Sequence, residues 1–502
     1  MIIINLKKLV FLLPVLLLAS GCSTIVNAHR QKAGMMENYV QGKYSETQEE
    51  LEYKLREPSA FNSSKVNTGD EIMWRLEAGS LNCITGQYDR SINHFARAQE
   101  LIEDFDERAI VNLREVGAET SVLMTNPNAL PYRGWCRDRI MIPVYKAFDY
   151  LGKNDEQGFQ VEMYRIRSTQ DKVMDDYEKY FEAEDKAMNR AKQKNQDAAS
   201  SVNPDTVMRD SRNGEFSGAL SQTKAVAHRG YANFLNPLAI FLSAYGYARA
   251  NNYQNAVVDF ERLYKAMPSH PLVKQYYVSC LRRIGRPVPA ELKDIPSHDF
   301  SLGNNNVLVI FANGRSAALR QISLYIPIVF PGYATVATVA WPVCEFYPAP
   351  FRSLQVSADG KTFNTLPLAD MDGILAAEYT RRLPGMILRI CLSTAVKEFG
   401  SYVATRAAAQ ANGWAGLATA AGTSIYKVVF NTADTRTWEI LPKEFQIAQF
   451  AMPKDRKLTL NVPGENQINI DLPSHAGSAL VLVHAPSFNP AAFTYRVYPL
   501  KQ

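Results

Sequence analysis

A short stretch near the C-terminus, TADTRTWEILP (432–442), has the densest set of side chains that could do chemistry. Asp434, Arg436 and Glu439 place two acids and a base around Trp438. A carboxylate beside a guanidinium and an indole would suit acid–base catalysis or the binding of a charged ligand. The same residues also suit a structural role, because Asp begins turns by accepting a hydrogen bond from the backbone two residues on.

The structural interpretation of this stretch accounts for more of its residues. Asp434 and Arg436 lie two apart, so in an extended chain they share a face and can pair. From Thr437 apolar and polar residues alternate, and Pro442 would end a strand. We therefore predict a turn followed by a strand, in which Asp434, Arg436 and Trp438 are structural residues and not catalysts.

Known catalytic patterns are otherwise missing from the sequence. The seven histidines are not at metal-ligand spacing, and there is no GxSxG, HExxH or P-loop motif. Ser221 and Lys224 form an SxxK pair, but the SDN and KTG elements that accompany it in penicillin-recognising enzymes are lacking. We predict no catalytic residue, no cofactor and no metal, and hence no enzyme, although a site built from scattered residues would escape this search.

The N-terminus, MIIINLKKLVFLLPVLLLASGCSTI, has the order of a secretory signal. Lys7 and Lys8 precede an apolar run that is shorter than the roughly 20 residues needed to span a bilayer, and small residues lead into Cys22. Small residues directly before a cysteine are typical of bacterial lipoprotein signals, although Ala19 stands where Leu is usual. We predict cleavage of residues 1–21 and acylation of Cys22. Ser23, in place of Asp, indicates the periplasmic face of the outer membrane.

Composition constrains the remaining chain only broadly. Removing 21 of 502 residues leaves 481, enough for two or three domains, and losing Lys7 and Lys8 lowers the formal charge from +5 to about +3. That charge is too small to indicate a nucleic-acid partner. Five further cysteines are scattered, and each is predicted to be a buried free thiol: Cys83, Cys136, Cys280, Cys344 and Cys391.

After a tether at 22–34, residues 35–285 have a helical pattern with tetratricopeptide-like repeats. Two segments, 74–98 and 244–268, place glycine, alanine and aromatic residues in the order that packs paired helices. The repeat positions, which are also the candidate partner face, are Trp74, Gly79, Tyr88, Phe95, Tyr253, Ala256 and Phe260. Such helix pairs stack into an array whose groove usually holds a peptide or protein. The alternative is a scaffold whose concave face is filled by its own chain.

An insertion at 171–218 separates the repeats. Its first part, to about 196, has charges of both signs and predicts a long exposed helix, and its second part predicts a mobile irregular loop. A Pro-punctuated linker at 286–300 then leads to the second half of the chain.

Residues 301–502 predict a β-sandwich-like or open-barrel domain. Asn313-Gly314 and Asp359-Gly360 indicate hairpin turns, and four short strands follow near the C-terminus. Helices at 368–426 interrupt the strands. The uncharged stretch 407–426 is long enough to enter a membrane, but its Ala, Gly and Thr content favours close helix packing. The fold class predicted is therefore α+β, with an N-terminal helical array and a C-terminal β domain.

Three segments together resemble an uncharacterised family of proteobacterial cell-envelope lipoproteins: NPLAIFLSAYGYA, IFANGRSAALRQISLYIPI and ADTRTWEILP. The resemblance covers most of the mature chain and implies tetratricopeptide-like helices followed by a β-rich domain. It implies no activity, cofactor or catalytic residue. Members of that family look like companions of outer-membrane lipoproteins that activate peptidoglycan synthases.

Three functional hypotheses follow. The first is a lipid-anchored scaffold for protein–protein interactions in the envelope, bound to the membrane through acylated Cys22, with an unidentified envelope protein as partner and a possible link to cell-wall synthesis. The alternatives are a cell-wall or envelope hydrolase with a site between the domains, and a purely structural lipoprotein.

Overall fold

The computed structural model describes residues 27–56, 69–114, 131–297, 305–411, 432–462 and 467–500. The predicted signal peptide, Cys22 and the first part of the tether lie outside the described residues, as does 412–426 of the uncharged stretch. Within the described residues, no helix has the length and apolar character needed to cross a membrane.

The chain is a mixed α+β protein, with most helices in its N-terminal part and its sheets in its C-terminal part. The α-helices of the described residues are α1 (Ala28–Val40), α2 (Tyr44–Leu55), α3 (Glu71–Thr85), α4 (Tyr88–Arg114), α5 (Cys136–Gly152), α6 (Glu156–Lys194), α7 (Gln196–Ser200), α8 (Pro204–Arg209), α9 (Gly214–Ala227), α10 (Pro237–Arg249), α11 (Tyr253–Ala266), α12 (Pro271–Arg283) and α13 (Met371–Ala411).

Consecutive helices of the N-terminal part pack in pairs. α3 packs on α4, α5 on α6 and α10 on α11, and the pairs contact one another through α4–α5 and α6–α10. Gly79 shows why small residues occur at these contacts. A Cβ atom built at Gly79 would lie 2.7 Å from Cζ of Phe95, so only glycine lets α3 and α4 approach this closely.

The segment predicted as an irregular loop after residue 196 differs from that expectation, because its polar residues begin short helices. The side chain of Asn203 accepts a hydrogen bond from the backbone N–H of Asp205, and Asp210 does the same for Arg212. Val207 is buried. The charged segment before it is not a separate helix. It is the C-terminal part of α6, which runs without a break for 39 residues.

The C-terminal part has three sheets among the described residues. Their strands are β1 (Asn306–Asn313), β2 (Ala318–Phe330), β3 (Tyr333–Glu345), β4 (Gln355–Ala358), β5 (Lys361–Asn364), β6 (Leu366–Asp370), β7 (Glu444–Ala451), β8 (Lys457–Asn461), β9 (Ile468–Asp471), β10 (Ser478–Ala485) and β11 (Thr494–Leu500). The last four match the four strands predicted near the C-terminus. The strand orders are β11-β10-β1-β7-β6, β2-β3 and β5-β4-β8-β9.

The five-stranded sheet lies between the helices and the four-stranded sheet. Leu308 and Ile310 of β1 belong to the apolar core shared with the helices, whereas Val307 and Val309 pack in the core shared with the four-stranded sheet. Side chains alternate between the two faces of a strand, so β1 needs apolar residues at nearly every position. Its unbroken apolar sequence reflects burial on both sides.

One predicted hairpin is confirmed and the other is wrong. β4 and β5 pair around Asp359-Gly360, where both residues have the positive φ that a two-residue turn requires (48° and 70°). The strands on either side of Asn313-Gly314 instead enter different sheets, because β1 pairs with β10 and β7 while β2 pairs with β3. Asn313 is buried there, and its Nδ2 donates to the carbonyl of Phe351.

The strand predicted from Thr437 is also wrong. β7 begins only at Glu444, and residues 432–443, the connecting segment, follow α13 without joining a sheet. The predicted pairing at its start is confirmed. Arg436 donates from its backbone N–H and from Nε to Asp434 Oδ1, at 3.1 and 2.8 Å.

Helix side chains replace a neighbouring strand as hydrogen-bond partners of the connecting segment. The carboxylate of Glu77 on α3 accepts the backbone N–H groups of Glu439 and Ile440, both at 2.8 Å. Lys32 Nζ on α1 donates to the carbonyl of Thr437 at 2.5 Å, and Arg137 on α5 donates to the next carbonyl, at 3.3 Å. Buried backbone groups need such partners, so the segment is extended without being a strand.

A buried ionic cluster joins α1, α3 and the connecting segment. Lys32 Nζ lies 3.0 Å from Glu77 Oε1 and 2.7 Å from Glu439 Oε1, and all three side chains are at most 1% exposed. Burial alone would lower the pKa of Lys32, but the two carboxylates outweigh it and raise that pKa. Burial alone would raise the pKa of Glu439, yet Lys32 and His29 bring it down to about 2.

Replacing Glu77 by glutamine is expected to destabilise the fold strongly. The substitution leaves Lys32 short of one buried partner and places an amide N–H₂ against backbone donors, which predicts a loss of about 3–5 kcal/mol in the free energy of unfolding. Denaturant unfolding followed by tryptophan fluorescence measures it. Glu182→Gln is the control, because Glu182 forms an exposed pair with Lys186, and a change below about 0.5 kcal/mol is expected. Equal small effects would contradict this role of Glu77.

Candidate functional site

A cavity of about 290 Å³ lies where the helical part meets the strands. Its walls are the chain at 131–136, one face of α6, β3 near Trp341, one face of α13, and the connecting segment at 432–436. The volume is close to the lower end of the roughly 300–1,000 Å³ range of small-molecule sites.

Helical periodicity explains how α6 and α13 supply two of the walls. The lining residues of α6 are Val173, Asp176, Tyr177, Tyr180, Phe181 and Glu184, and those of α13 are Tyr379, Arg382, Met386, Arg389, Ile390, Ser393 and Lys397. Most successive members are three or four positions apart, so each set forms a stripe on one face of its helix. Beside these stripes, Ala187 and Ala191 of α6 share a small apolar cluster with Leu392 of α13.

Guanidinium groups in the wall are fixed by carboxylates. Arg139 donates from both Nη atoms to Asp106, at 2.6 and 2.9 Å, and Arg133 Nε donates to the same carboxylate at 2.8 Å. Arg382 pairs with Glu378, whose other oxygen accepts the backbone N–H of Cys136 at 2.8 Å. The positions of these cations are therefore set before any ligand arrives.

Aromatic rings surround Arg382. Its guanidinium carbon lies 4.5 Å from the ring centroid of Trp135, 5.5 Å from that of Tyr177 and 5.6 Å from that of Phe181, which are cation–π distances. Burial alone would lower the pKa of Arg382, but Glu378 and Tyr177 outweigh it and raise that pKa. The side chain thus stays charged inside an apolar enclosure.

Two polar atoms in this wall are buried without a hydrogen-bond partner. They are the hydroxyl oxygen of Tyr177 and Nε of Arg382, which adjoin each other but form no bond of acceptable geometry. Burial raises the pKa of Tyr177, so its hydroxyl keeps its proton and can donate. Arg382 Nε has no lone pair, so an acceptor is its only possible partner.

Lys397 is a further cation in the wall. It makes no ion pair with the acids of the described part of the chain, and burial, with a smaller contribution from Arg389, lowers its pKa. Cys136 also lines the cavity, but burial, together with Glu378, holds its pKa well above the usual value. Its thiol is therefore not a ready nucleophile.

The predicted site residues fall in two places. Trp74, Gly79, Phe95, Tyr253, Ala256 and Phe260 are buried between helices and Tyr88 is half-buried, so none of them is on an open surface. Asp434 and Arg436 line the cavity, whereas Trp438 packs against the rings of Phe95 and Tyr145. Ser221 and Lys224 are exposed on α9 and do not line the cavity.

Sequence reasoning missed the residues that give the cavity its character, above all Tyr177 and Arg382. The signal was present on α6, where Tyr177, Tyr180 and Phe181 form an aromatic stripe within a charged helix. An aromatic stripe indicates a buried face, whereas the charge content alone had suggested a solvated helix.

Comparison with known proteins found no matching family model, no matching curated protein and no matching solved structure. Among the residues that the structure describes, no group of His, Cys, Asp and Glu side chains is arranged to hold a metal ion.

Lys397 is expected to react with an amine-directed acylating reagent faster than exposed lysines do at pH 8. Its lowered pKa leaves more of the neutral amine, and Arg389→Gln is expected to slow the reaction because it removes a nearby positive charge that lowers this pKa. Competitive labelling with peptide mass spectrometry measures both rates. Lys186, which is exposed on α6, is the internal control and should not respond to the substitution. A rate at Lys397 that is slow and insensitive to Arg389 would contradict this environment.

Proposed function

We propose that the protein is a non-catalytic binding and interaction protein of the bacterial cell envelope, held by acylated Cys22 at the periplasmic face of the outer membrane, and that the cavity receives its ligand. The observation that carries the proposal is the pair of buried atoms without partners, Tyr177 Oη and Arg382 Nε. Buried polar groups without partners are uncommon in native proteins, and here they occur at the wall of a cavity that a ligand could fill.

The position of the N-terminal helix supports a site near the membrane. Asn27 caps α1, and it lies five positions after Cys22, a distance of at most about 18 Å along a fully extended chain. The backbone N–H of His29 donates to Thr435 Oγ1 at 3.2 Å, and Asp434 and Arg436 on either side line the cavity. Acylation at Cys22 would therefore hold one wall of the cavity close to the bilayer.

The chemistry of the lining supports binding in preference to hydrolysis. Asp434 pairs with Arg436 at 2.7 Å, and Glu184 lies 3.5 Å from Arg389. These two acids are engaged with guanidinium groups, and burial together with Glu378 holds the Cys136 thiol protonated. A hydrolase needs a nucleophile beside a base that can take its proton, and neither of these two acids is free to act as a base for Cys136.

A protein partner is the second candidate, and one observation favours it. The helix pairs are consistent with a stacked tetratricopeptide-like array, and they share an apolar core with the chain's own strands. Three large apolar side chains are exposed on these helices and define an outer surface: Val161 and Tyr164 on α6 and Val258 on α11. Arg167 joins these two helices by donating to Asp259. Scaffold function would use this outer surface, not the buried repeat positions.

The anchor is tested first. In cells, Cys22→Ala is expected to abolish labelling by radioactive palmitate, to leave the precursor uncut and to remove the protein from the outer-membrane fraction, because the acylated residue is lost. Density-gradient fractionation measures its location. Ser23→Asp is the matched variant, expected to keep the label and move the protein to the inner membrane. If Cys22→Ala is labelled by palmitate as strongly as the unsubstituted protein, the prediction of a lipid anchor at Cys22 is wrong.

The ligand is tested by photo-crosslinking in intact cells. Benzoylphenylalanine replaces Phe181 in the cavity, Tyr164 on the outer surface, or exposed Tyr53 as a control. We expect a small, reproducible mass addition at Phe181 and none at Tyr53. A protein conjugate at Tyr164 with nothing at Phe181 would overturn the cavity and support the scaffold. The absence of any crosslinked product at both Phe181 and Tyr164 would overturn both candidates.

A further inference from the structure

The unpartnered atoms of the cavity specify what a ligand must offer them. Tyr177 is 8% exposed and its hydroxyl oxygen is buried, and Arg382 Nε beside it can only donate. A ligand atom that satisfies both must accept hydrogen bonds, as an oxygen with free lone pairs does. Charged acceptors make shorter and stronger bonds to such donors than neutral ones.

One cation of the wall without an ion-pair partner favours an anion. Six cationic and three acidic side chains line the cavity. Three more acids stand behind the lining: Asp106 pairs with Arg133 and Arg139, Glu378 with Arg382, and Asp70 with Arg436. These acids equal the cations in number, but Lys397 makes no ion pair with the acids of the described part of the chain. On α13, Arg389 and Lys397 extend the cationic stripe that begins at Arg382.

The remaining walls are apolar and aromatic. Trp135, Phe181 and Trp341 line the cavity together with Met386 and Ile390. Arg382 and Lys397 lie fifteen positions apart, or about 22 Å along α13, so the space is longer than a single oxyanion requires.

We propose that the cavity binds a small anionic amphiphile, with its phosphate or carboxylate group at Tyr177 and Arg382 and its apolar chain along the aromatic wall and the apolar residues of α13, Met386 and Ile390. The inference rests on the proposed function, since it names the chemical class of the ligand that the cavity receives. A phosphate or carboxylate supplies the acceptors that the two donors lack, and the chain replaces water against Trp135, Phe181 and Trp341.

The test uses the mature chain, residues 22–502, carrying Cys22→Ala so that no acyl group of its own competes. The probes are dodecyl phosphate, dodecanoate, dodecanol and inorganic phosphate, titrated calorimetrically and by tryptophan fluorescence, to which Trp135 and Trp341 contribute. We expect saturable binding of dodecyl phosphate and dodecanoate with one site per chain, with dodecanol and inorganic phosphate each at least about tenfold weaker.

Two variants locate the head group. Tyr177→Phe removes the hydroxyl alone and is expected to weaken dodecyl phosphate binding about tenfold. Arg382→Lys keeps the ion pair with Glu378 but removes Nε, and should weaken binding to a similar extent. Tyr245→Phe is the matched control, because Tyr245 has a buried hydroxyl without a partner but lies outside the cavity. Tyr245→Phe should bind dodecyl phosphate as tightly as the chain without this substitution does.

A vesicle arm distinguishes the sources of such a ligand. Co-sedimentation with phosphatidylglycerol vesicles, and not with phosphatidylcholine vesicles, would assign the head group to a membrane lipid, whereas binding of the free probes alone would assign it to a soluble amphiphile. Either result supports the inference, provided that Tyr177→Phe weakens the binding that is observed.

The inference is overturned if dodecanol binds as tightly as dodecanoate, if inorganic phosphate binds as tightly as dodecyl phosphate, or if Tyr177→Phe and Arg382→Lys have no more effect than Tyr245→Phe. A crosslinked adduct at Phe181 in cells together with any of these outcomes would leave the proposed function standing and remove only the ligand class.

Discussion

The structure depends on one constraint, namely that the buried backbone of the connecting segment has no neighbouring strand to satisfy it. The Glu77 carboxylate accepts hydrogen bonds from two N–H groups of this segment, and Lys32 and Arg137 donate hydrogen bonds to two of its carbonyls. Burying Lys32 with Glu77 and Glu439 is tolerated because each charge has an opposite charge and backbone partners close by. The helical part and the sheets are consequently joined by directional, charged contacts as well as by apolar packing.

The same constraint creates the cavity. The connecting segment forms one wall at 432–436, and its position is set by α1 and α3, while α6 and α13 form the facing walls. The arginines of these walls are held by carboxylates. A ligand would meet groups that are already oriented, so little ordering of side chains would oppose binding.

Much of the element content could be predicted from the sequence, because helical and two-residue periods are local. The hairpin at Asp359-Gly360, the last four strands and the pairing of Asp434 with Arg436 followed from spacing alone. The strand predicted from Thr437 is wrong although apolar and polar residues do alternate there. The hydrogen-bond partners of that backbone are the side chains of Lys32, Glu77 and Arg137, hundreds of positions away, and spacing cannot reveal them. The cavity was missed for the same reason. Tyr177 and Arg382 meet only because α6 and α13 pack together.

The contacts of α1 have a consequence for how the chain reaches its native state. Lys32 bonds to a carbonyl 405 positions later, and Tyr39 contacts His484 across 445 positions. Contacts between such distant residues form slowly, because a long loop must close first. The first helix cannot complete its burial until nearly the whole polypeptide has emerged, so during synthesis its apolar side stays open to chaperones and proteases. Folding of this protein is therefore complete only when the N-terminal and C-terminal parts of the chain have come together.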